Sequence, residues 1–173
     1  MHGVSIVAFN CVARLLALTI SPAAAQDFYK GMTIRVIVAT TPGGGFDAYS
    51  RMLTRHMGKH IPGHPAFVVE NMPGAAFLIG TNYLYTHAKP DGLTLGNWIG
   101  TLVLHQLTGR KGIEFDARKF EYIGAITYLY SFPPGTPKDR VQIFRKAFQA
   151  TLKDPEFIAE AKKGNFELDP VAG

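Results

Sequence analysis

TIRVIVATTPGGGFDAYSRML, residues 33–53, decides the fold of this chain. Its first part, residues 33–39, is β-branched and apolar and predicts a buried strand. The glycines that follow remove side chains from the turn, and residues 46–60 carry apolar side chains at helical spacing. A strand, a glycine turn and a helix N-terminus together leave backbone N–H groups open to an anion.

The alternation of strand and helix continues along the chain. Further strands are predicted over residues 67–70, 93–99 and 120–126, and further helices over residues 76–88 and 101–107. The resulting order is βαβαβαβ. It predicts an α/β fold, a parallel sheet with right-handed crossovers and flanking helices.

The C-terminal segment follows a different pattern. Residues 131–135, SFPPG, are typical of a linker. Thr136 is the predicted N-cap of a helix with Pro137 at its first position. Residues 154–156, DPE, start a second helix that ends at Gly164. We therefore expect two helices after the sheet.

The composition is that of an ordinary globular protein with one core. Of 173 residues, 47% are hydrophobic and 18% are charged, and the formal net charge is +5. The lysines and arginines are scattered and form no basic block, so we predict no nucleic-acid binding. The positive balance is compatible with a preference for anionic ligands.

Residues 1–25 predict a signal peptide. Residues 4–20 are almost wholly apolar, and Ala23 and Ala25 fit an A-x-A cleavage site. A membrane-spanning helix is the alternative, but Arg14 leaves too short an uninterrupted apolar run. Cys11 lacks the small residue expected before a lipidated cysteine, so we predict no lipid anchor. The mature protein is therefore expected in the periplasm.

Three turns follow the first three predicted strands. The first turn covers residues 40–45, the second turn residues 71–76 and the third turn residues 97–101. Because ligands in open parallel sheets bind outside the carboxyl ends of the strands, the three turns predict one shared edge, which we call the rim. Each turn presents backbone N–H groups at a helix N-terminus, and small residues let a carboxylate or phosphate approach them.

A dinucleotide-binding Rossmann domain, and hence an oxidoreductase, is the alternative interpretation of the same residues. Residues 43–48 match G-x-G-x-x-A after a strand, and Glu70 ends the next strand, where such a domain places its ribose-binding acid. Two observations count against it. Residues 40–42 separate the strand from the first glycine, and an exported protein meets no pool of nicotinamide cofactor.

The sequence contains no recognisable catalytic or metal-binding motif. It has no G-x-S-x-G and no Walker motif, and no pair of acids is spaced for general acid–base work. His56, His60 and His64 are four residues apart, but no H-E-x-x-H is present and no carboxylate is suitably placed beside them. We therefore predict no enzymatic activity, no cofactor and no metal.

Several blocks of the sequence resemble one family. PGGG-x-D at residues 42–47, VVEN-x-PGA at residues 68–75 and PDG at residues 90–92 occur in that order, followed by IEFDARKFEYIGAI at residues 113–126. Over nearly all of residues 26–173 the chain resembles the substrate-binding proteins of tripartite tricarboxylate transporters, also called the Bug family. The resemblance implies a periplasmic-binding-protein-like first lobe with C-terminal helices. It also implies capture of a small di- or tricarboxylate for the membrane subunits of such a transporter.

The resemblance further implies which residues bind the ligand. In that family the first-lobe turns hold one carboxylate through backbone amides, hydroxyls and bridging waters. Asp47 matches the family's acid after the glycines and is expected to cap or brace the first turn of the helix rather than touch the anion, since like charges repel. Phe46 and Phe77 replace small or polar residues. The implied ligand-binding residues are Thr41, Gly43, Gly44, Gly45, Phe46, Pro73, Gly74, Ala75, Ala76 and Thr101.

The chain departs from the family in length. The resemblance implies that members of the family are roughly twice as long and close two lobes on the ligand. Here the second lobe is missing at about residues 126–131, which implies weak or no binding by this chain alone. The expected organisation is a signal peptide at 1–25, a ligand-binding lobe at 26–130 and a C-terminal helical segment at 131–173.

Overall fold

The computed structural model describes residues 28–172. The predicted signal peptide, residues 1–25, lies outside these residues. None of the helices within the described part of the chain combines the length and the apolar character that crossing a bilayer requires.

Strands and helices occur largely where the sequence predicts them. The strands are Thr33–Val38 (β1), Ala66–Asn71 (β2), Thr94–Trp98 (β3), Glu121–Ile126 (β4), Tyr128–Phe132 (β5) and Pro170–Ala172 (β6). The helices are Gly45–Met57 (α1), Leu78–Thr86 (α2), Thr101–Leu107 (α3), Lys138–Leu152 (α4) and Pro155–Lys163 (α5). A 3-10 turn, Gly58–His60, continues α1, so the predicted helix over residues 46–60 is confirmed with a tighter last turn.

The six strands form one mixed sheet in the order β2-β1-β3-β5-β4-β6. β1 pairs in parallel with both β2 and β3. β5 is antiparallel to β3 and to β4, so β4 runs parallel to the first three strands. The α/β fold with flanking helices and the four predicted parallel strands are therefore confirmed. The antiparallel strands β5 and β6 were not predicted.

The prediction of a linker at residues 131–135 is wrong for its first two residues. Ser131 and Phe132 belong to β5 and are buried. The Ser131 hydroxyl accepts a hydrogen bond from Trp98 Nε1 at 2.9 Å, and the Phe132 ring packs edge-on against Phe144, with 4.7 Å between centroids. The burial of the Phe132 ring and the pairing of β5 with a strand on each side outweigh the turn signal of the prolines that follow.

A very short reversal joins β4 to β5. Thr127 has a φ of +65°, and the residues on either side of it, Ile126 and Tyr128, pair with each other across the two strands. A threonine in the left-handed region is unusual because its branched Cβ crowds the backbone. A single residue therefore reverses the chain, so that β4 ends and β5 begins at the same edge of the sheet.

The two C-terminal helices pack into the main core of the sheet. Val141, Phe144 and Phe148 of α4 are fully buried in one cluster with residues of β1 and α1. The predicted start of α5 is confirmed, because the Asp154 carboxylate accepts from the backbone N–H of Glu156 at 2.9 Å. The predicted N-cap of α4 is wrong. Pro137 takes that position, and the Thr136 hydroxyl instead donates to the Pro133 carbonyl at 2.9 Å.

Ion pairs tie α5 to the end of α1, and we call this group the clasp. Lys59 Nζ lies 2.7 Å from Asp154 Oδ2 and 2.5 Å from Glu156 Oε2, and His60 Nε2 lies 2.8 Å from the same Asp154 oxygen. Hydrogen bonds from Lys59, and then from His60 and the Glu156 backbone, hold the pKa of the Asp154 carboxyl well below its usual range. Arg55 and His56 bind Glu160 in the same way.

Phe148→Ala tests whether the C-terminal helices and the sheet share one core. We expect the variant to lose about 3–5 kcal/mol of unfolding free energy, because a fully buried aromatic side chain leaves a cavity between α4 and the sheet. Urea unfolding followed by both far- and near-ultraviolet circular dichroism measures this. Lys146→Ala, on the exposed face of the same helix, should stay within about 0.5 kcal/mol of the wild type. A separate early transition for the C-terminal helices would contradict a shared core.

Asp154→Asn tests the clasp, since asparagine keeps the N-cap but removes the charge. The lowered pKa of Asp154 means that its contribution is complete above about pH 4 and is lost as the pH falls below that value. The stability of the wild type should therefore fall more steeply between about pH 5 and pH 2 than that of the variant. Asp139→Asn, an exposed acid of α4, is the control and should follow the wild-type curve.

Candidate functional site

The fold brings the three predicted turns to one edge of the sheet. β1, β2 and β3 run parallel and all end at the rim. Every residue of the predicted ligand-binding set lies on these turns or on the first residues of the helices that follow. Phe46 and Gly74 are half-buried, and the remaining members are exposed: Thr41, Gly43, Gly44, Gly45, Pro73, Ala75, Ala76 and Thr101.

Asp47 joins the first turn to the second. Its carboxylate accepts from the backbone N–H of Gly43 at 2.9 Å, from Arg51 Nε at 2.9 Å and from Asn71 Nδ2 at 3.0 Å. Asn71 Nδ2 also donates to the Thr40 carbonyl at 3.1 Å. The hydrogen bonds from Arg51, followed by those from Gly43 and Asn71, lower the pKa of Asp47. The expectation that Asp47 braces the start of the helix is confirmed by its bond to Gly43, and the expectation that it does not touch the anion stays a prediction.

The N-terminus of α1 is the most open group of backbone donors at the rim. Its N-cap, Gly44, offers no side-chain acceptor, and Gly43, Gly44 and Gly45 are exposed. The other two helices differ, because their first N–H groups already bond to carbonyls of the turns. Leu78 N donates to Ala75 O at 3.4 Å, and Val103 N donates to Gly100 O at 3.0 Å. An anion at the rim therefore finds its donors at the first turn.

The second turn has a strained backbone. Gly74 is followed by three non-glycine residues with positive φ: Ala75 at +46°, Ala76 at +51° and Phe77 at +71°. Each such residue costs about 1–2 kcal/mol. Arg110 Nη2 donates to the Ala75 carbonyl at 3.1 Å, so a cation from beyond α3 supports this turn. Arg110 was not predicted, because no sequence signal links it to a turn 35 residues earlier.

Four aromatic rings lie together at the start of α1. The Phe46 ring stacks on Tyr128 with 3.5 Å between centroids and lies 4.7 Å from the Phe77 ring. The Tyr128 hydroxyl lies so close to Gly45 that a Cβ on that glycine would be 2.9 Å from it. Tyr49 meets the Tyr128 ring edge-on at 5.6 Å. The position of Tyr128 was not predicted, because it depends on the unpredicted strand β5.

A buried polar network supports the rim from below. Asn97 Nδ2 donates to Ser50 Oγ at 2.6 Å and to the Phe46 carbonyl at 3.4 Å, and Ser50 Oγ lies 3.4 Å from the Tyr130 hydroxyl. Asn97 is completely buried, yet its Oδ1 has no hydrogen-bond partner among the described residues. A buried acceptor without a donor is costly, so this atom is an exception among the buried polar side chains of the described residues.

His56 and His60 lie in the clasp, away from the rim. Ligand atoms of His56, Asp154 and Glu156 lie within 4.8 Å of one another, so the statement that no carboxylate is suitably placed beside these histidines is wrong in three dimensions. The acids come from α5, about a hundred residues later in the chain. The Lys59 ammonium lies between the two carboxylates, where it supplies the positive charge that they need.

Comparison with known proteins identifies similar structures but no similar sequences. No family model matches the chain, and no curated protein matches it. A crystal structure of a TctC solute binding protein from Polaromonas superposes with a TM-score of 0.71 at 12% identity, covering 84% of this chain and 92% of that chain. The chain has the fold of the TctC and Bug solute-binding proteins.

Two further structures carry the same fold. The periplasmic binding protein BugD has a TM-score of 0.68 at 15% identity, with 78% of this chain and 87% of that chain covered. A structure described as a periplasmic transporter has a TM-score of 0.67 at 18% identity, with 84% and 90% covered. The three superpositions cover between 87% and 92% of the solved chains. They do not test the predicted loss of a second lobe, which stays a prediction.

The Rossmann alternative loses its key acid in this structure. Glu70 Oε2 accepts from Arg35 Nη2 at 2.7 Å and from Arg35 Nε at 3.1 Å, so the carboxylate is held by β1 rather than free for a ribose. The structure of similar fold from Polaromonas is described as a solute binding protein, and BugD is described as a periplasmic binding protein.

Asp47→Asn tests the brace between the first and second turns. We expect a loss of about 1.5–3 kcal/mol of unfolding free energy, the range for hydrogen bonds to a charged group. The amide of Gly43 should exchange its hydrogen faster, because its acceptor is weakened. Hydrogen exchange followed by NMR measures both effects residue by residue. Glu114→Gln, an exposed acid outside the rim, should change neither, and unchanged exchange at Gly43 in Asp47→Asn would contradict the brace.

Proposed function

We propose that the chain is a solute-binding protein that captures a small organic carboxylate at the rim. The observation that carries the proposal is the open N-terminus of α1, held in place by the Asp47 brace and flanked by two further turns. The described fold is that of TctC and Bug solute-binding proteins, which supports the same function. The ligand would be a di- or tricarboxylate, as the sequence resemblance implies.

The N–H groups at the first turn suit a carboxylate. A helix N-terminus carries about half a positive charge, and backbone N–H groups without acceptors point toward the ligand. Glycine at residues 43–45 keeps side chains out of the way, and exposed hydroxyls at Thr41 and Thr101 offer further donors. The guanidinium groups of Arg51 and Arg110 lie at the same edge and add to the positive potential.

The remaining parts of the function follow from the resemblance. The protein would act in the periplasm, without a cofactor or catalysis, and would hand its ligand to membrane subunits of a tripartite tricarboxylate-type transporter. A second lobe would join the chain at Thr127, where β4 ends and β5 begins at the same edge. Without that lobe the rim cannot close over a ligand, so the bound carboxylate would stay in contact with water.

The affinity of this chain alone is expected to be weak. Isothermal titration calorimetry with citrate, succinate, glutamate and terephthalate should give dissociation constants in the millimolar range or above, about −4 kcal/mol or weaker. NMR titration should show shifts at the amides of residues 43–46, and the neutral diamide of succinate should not cause them. Micromolar affinity for any of the four anions would contradict the weak-binding prediction. No shift at these amides with any of them would contradict the proposed function.

Gly44→Asp provides a variant test of the same site. Gly44 has an extended backbone with φ −82°, and a Cβ there meets no atom within 4 Å, so the substitution fits. An aspartate at the N-cap would stabilise α1 while repelling an anion from its N–H groups. We expect carboxylate binding to be lost although the melting temperature rises. Gly44→Ala is the matched control and should bind like the wild type.

A further inference from the structure

The clasp between α1 and α5 brings together three side chains of the kinds that bind transition metals. One ring nitrogen of His56 and one carboxylate oxygen each of Asp154 and Glu156 lie within 4.8 Å of one another. Imidazole nitrogen and carboxylate oxygen are ligands that Zn²⁺ and related first-row ions accept in proteins. No metal was predicted from the sequence, where the two acids lie far from the histidine.

The three ligand atoms need to move little to share one ion. In a tetrahedral zinc site with bonds of about 2.0–2.2 Å, the ligand atoms lie roughly 3.3–3.6 Å from one another, so pairs in the clasp would close by at most about 1.5 Å. The side chains of His56 and Asp154 are only 13% and 6% exposed, so packing fixes these two ligands. Glu156 is 76% exposed, so its side chain is free to follow the ion.

The Lys59 ammonium shows that this group already holds a cation. Its Nζ lies 2.7 Å from Asp154 Oδ2 and 2.5 Å from Glu156 Oε2. The two carboxylates therefore share one positive charge, and a ring nitrogen of His56 lies within 4.8 Å of both of them. A divalent ion in this place would bring twice the charge and would also bind the imidazole. The Lys59 side chain is half-exposed, so it can turn into water when the ion enters.

Two further side chains are placed to orient the ligands. Glu160 Oε2 lies 2.7 Å from His56 Nε2, and His60 Nε2 lies 2.8 Å from Asp154 Oδ2. Histidines and carboxylates that bind a metal are ordinarily held by a second partner of this kind, which fixes the ring or the carboxylate in position. The clasp therefore contains both a set of ligands and the neighbours that would hold them.

We propose that the clasp binds one divalent transition-metal ion of the Zn²⁺ class through His56, Asp154 and Glu156, with water completing the coordination. The ion would displace the Lys59 ammonium and would join the end of α1 to the start of α5. The site lies at the opposite end of the 13-residue helix α1 from the rim, about 20 Å away, and does not depend on the proposed function. Mg²⁺ is expected to bind poorly, because it prefers oxygen ligands in an octahedral arrangement.

The experiment measures Zn²⁺ binding to the full chain without a polyhistidine tag. Isothermal titration calorimetry should show one site with micromolar or tighter affinity. With Zn²⁺ at about a hundred times the dissociation constant, the melting temperature should rise by about 5–10 °C, because the ion binds the folded state. NMR should show shifts at His56 and at residues 154–157, and none of comparable size should appear with Mg²⁺.

Four variants locate the ion. His56→Gln and Asp154→Asn each remove a ligand but keep a side chain that forms hydrogen bonds, and each should weaken Zn²⁺ binding at least about tenfold. Lys59→Met removes the competing ammonium and should strengthen binding about tenfold, because a larger fraction of the protein is then competent to bind. His87→Gln, an exposed histidine at the end of α2, is the control and should bind Zn²⁺ like the wild type. Circular dichroism checks that each variant is folded.

Loss of affinity in His56→Gln and Asp154→Asn, together with a gain in Lys59→Met, would support the proposed site. No binding by the wild type at millimolar Zn²⁺ would overturn it, and so would equal affinity in the wild type and His56→Gln. Unchanged affinity in Lys59→Met would contradict the position of the ion between the two carboxylates. Mg²⁺ binding as tight as that of Zn²⁺ would contradict the class of metal. A loss of affinity in His87→Gln would assign the binding to the surface instead of the clasp.

Discussion

The insertion of β5 between β3 and β4 is the constraint on which the rest of the structure depends. β5 runs antiparallel to both neighbours, and Ser131 on it receives the indole N–H of the buried Trp98. β5 starts at the rim and ends at the opposite edge of the sheet, so the chain that leads to α4 starts from that edge. α4 can then cover the same face as α1, with Phe144 and Phe148 completing one core. The same direction leaves Tyr128, the first residue of β5, at the rim beside α1.

The rim combines a rigid first turn with a strained second turn. Asp47 satisfies the Gly43 N–H, Arg51 and Asn71 at once, so the first turn is held by charge-assisted hydrogen bonds. The second turn contains three consecutive left-handed residues at 75–77. Strain of this kind persists only where neighbouring structure over-determines the backbone. Arg110 on the Ala75 carbonyl and the contact between Phe77 and Phe46 are the neighbours that hold it.

The sequence predicts local features well because their causes lie within a few residues. The apolar run of β1, the glycine turn and the spacing of α1 are all found where expected, and the predicted helix over residues 101–107 coincides with α3. β5 was missed because Thr127 alone separates it from β4, whereas ordinary hairpin loops contain about two to five residues. The clasp, Arg110 and Tyr128 were missed for another reason. Each meets its partners across long sequence separations that no local pattern encodes.

The predicted loss of a second lobe would leave the rim open on one side, and this would determine how a ligand is selected there. Gly43, Gly44 and Gly45 are exposed to water, and the interaction of two unit charges about 4 Å apart is only about 1 kcal/mol in that medium. Charge alone therefore separates one carboxylate from another poorly at the rim. Apolar contact loses less in the absence of an opposing lobe, since one face of a ring is desolvated by Phe46 and its neighbours whether or not the other face is covered. Contacts with the body of the ligand, rather than with its charge, would then decide which carboxylate the proposed site holds.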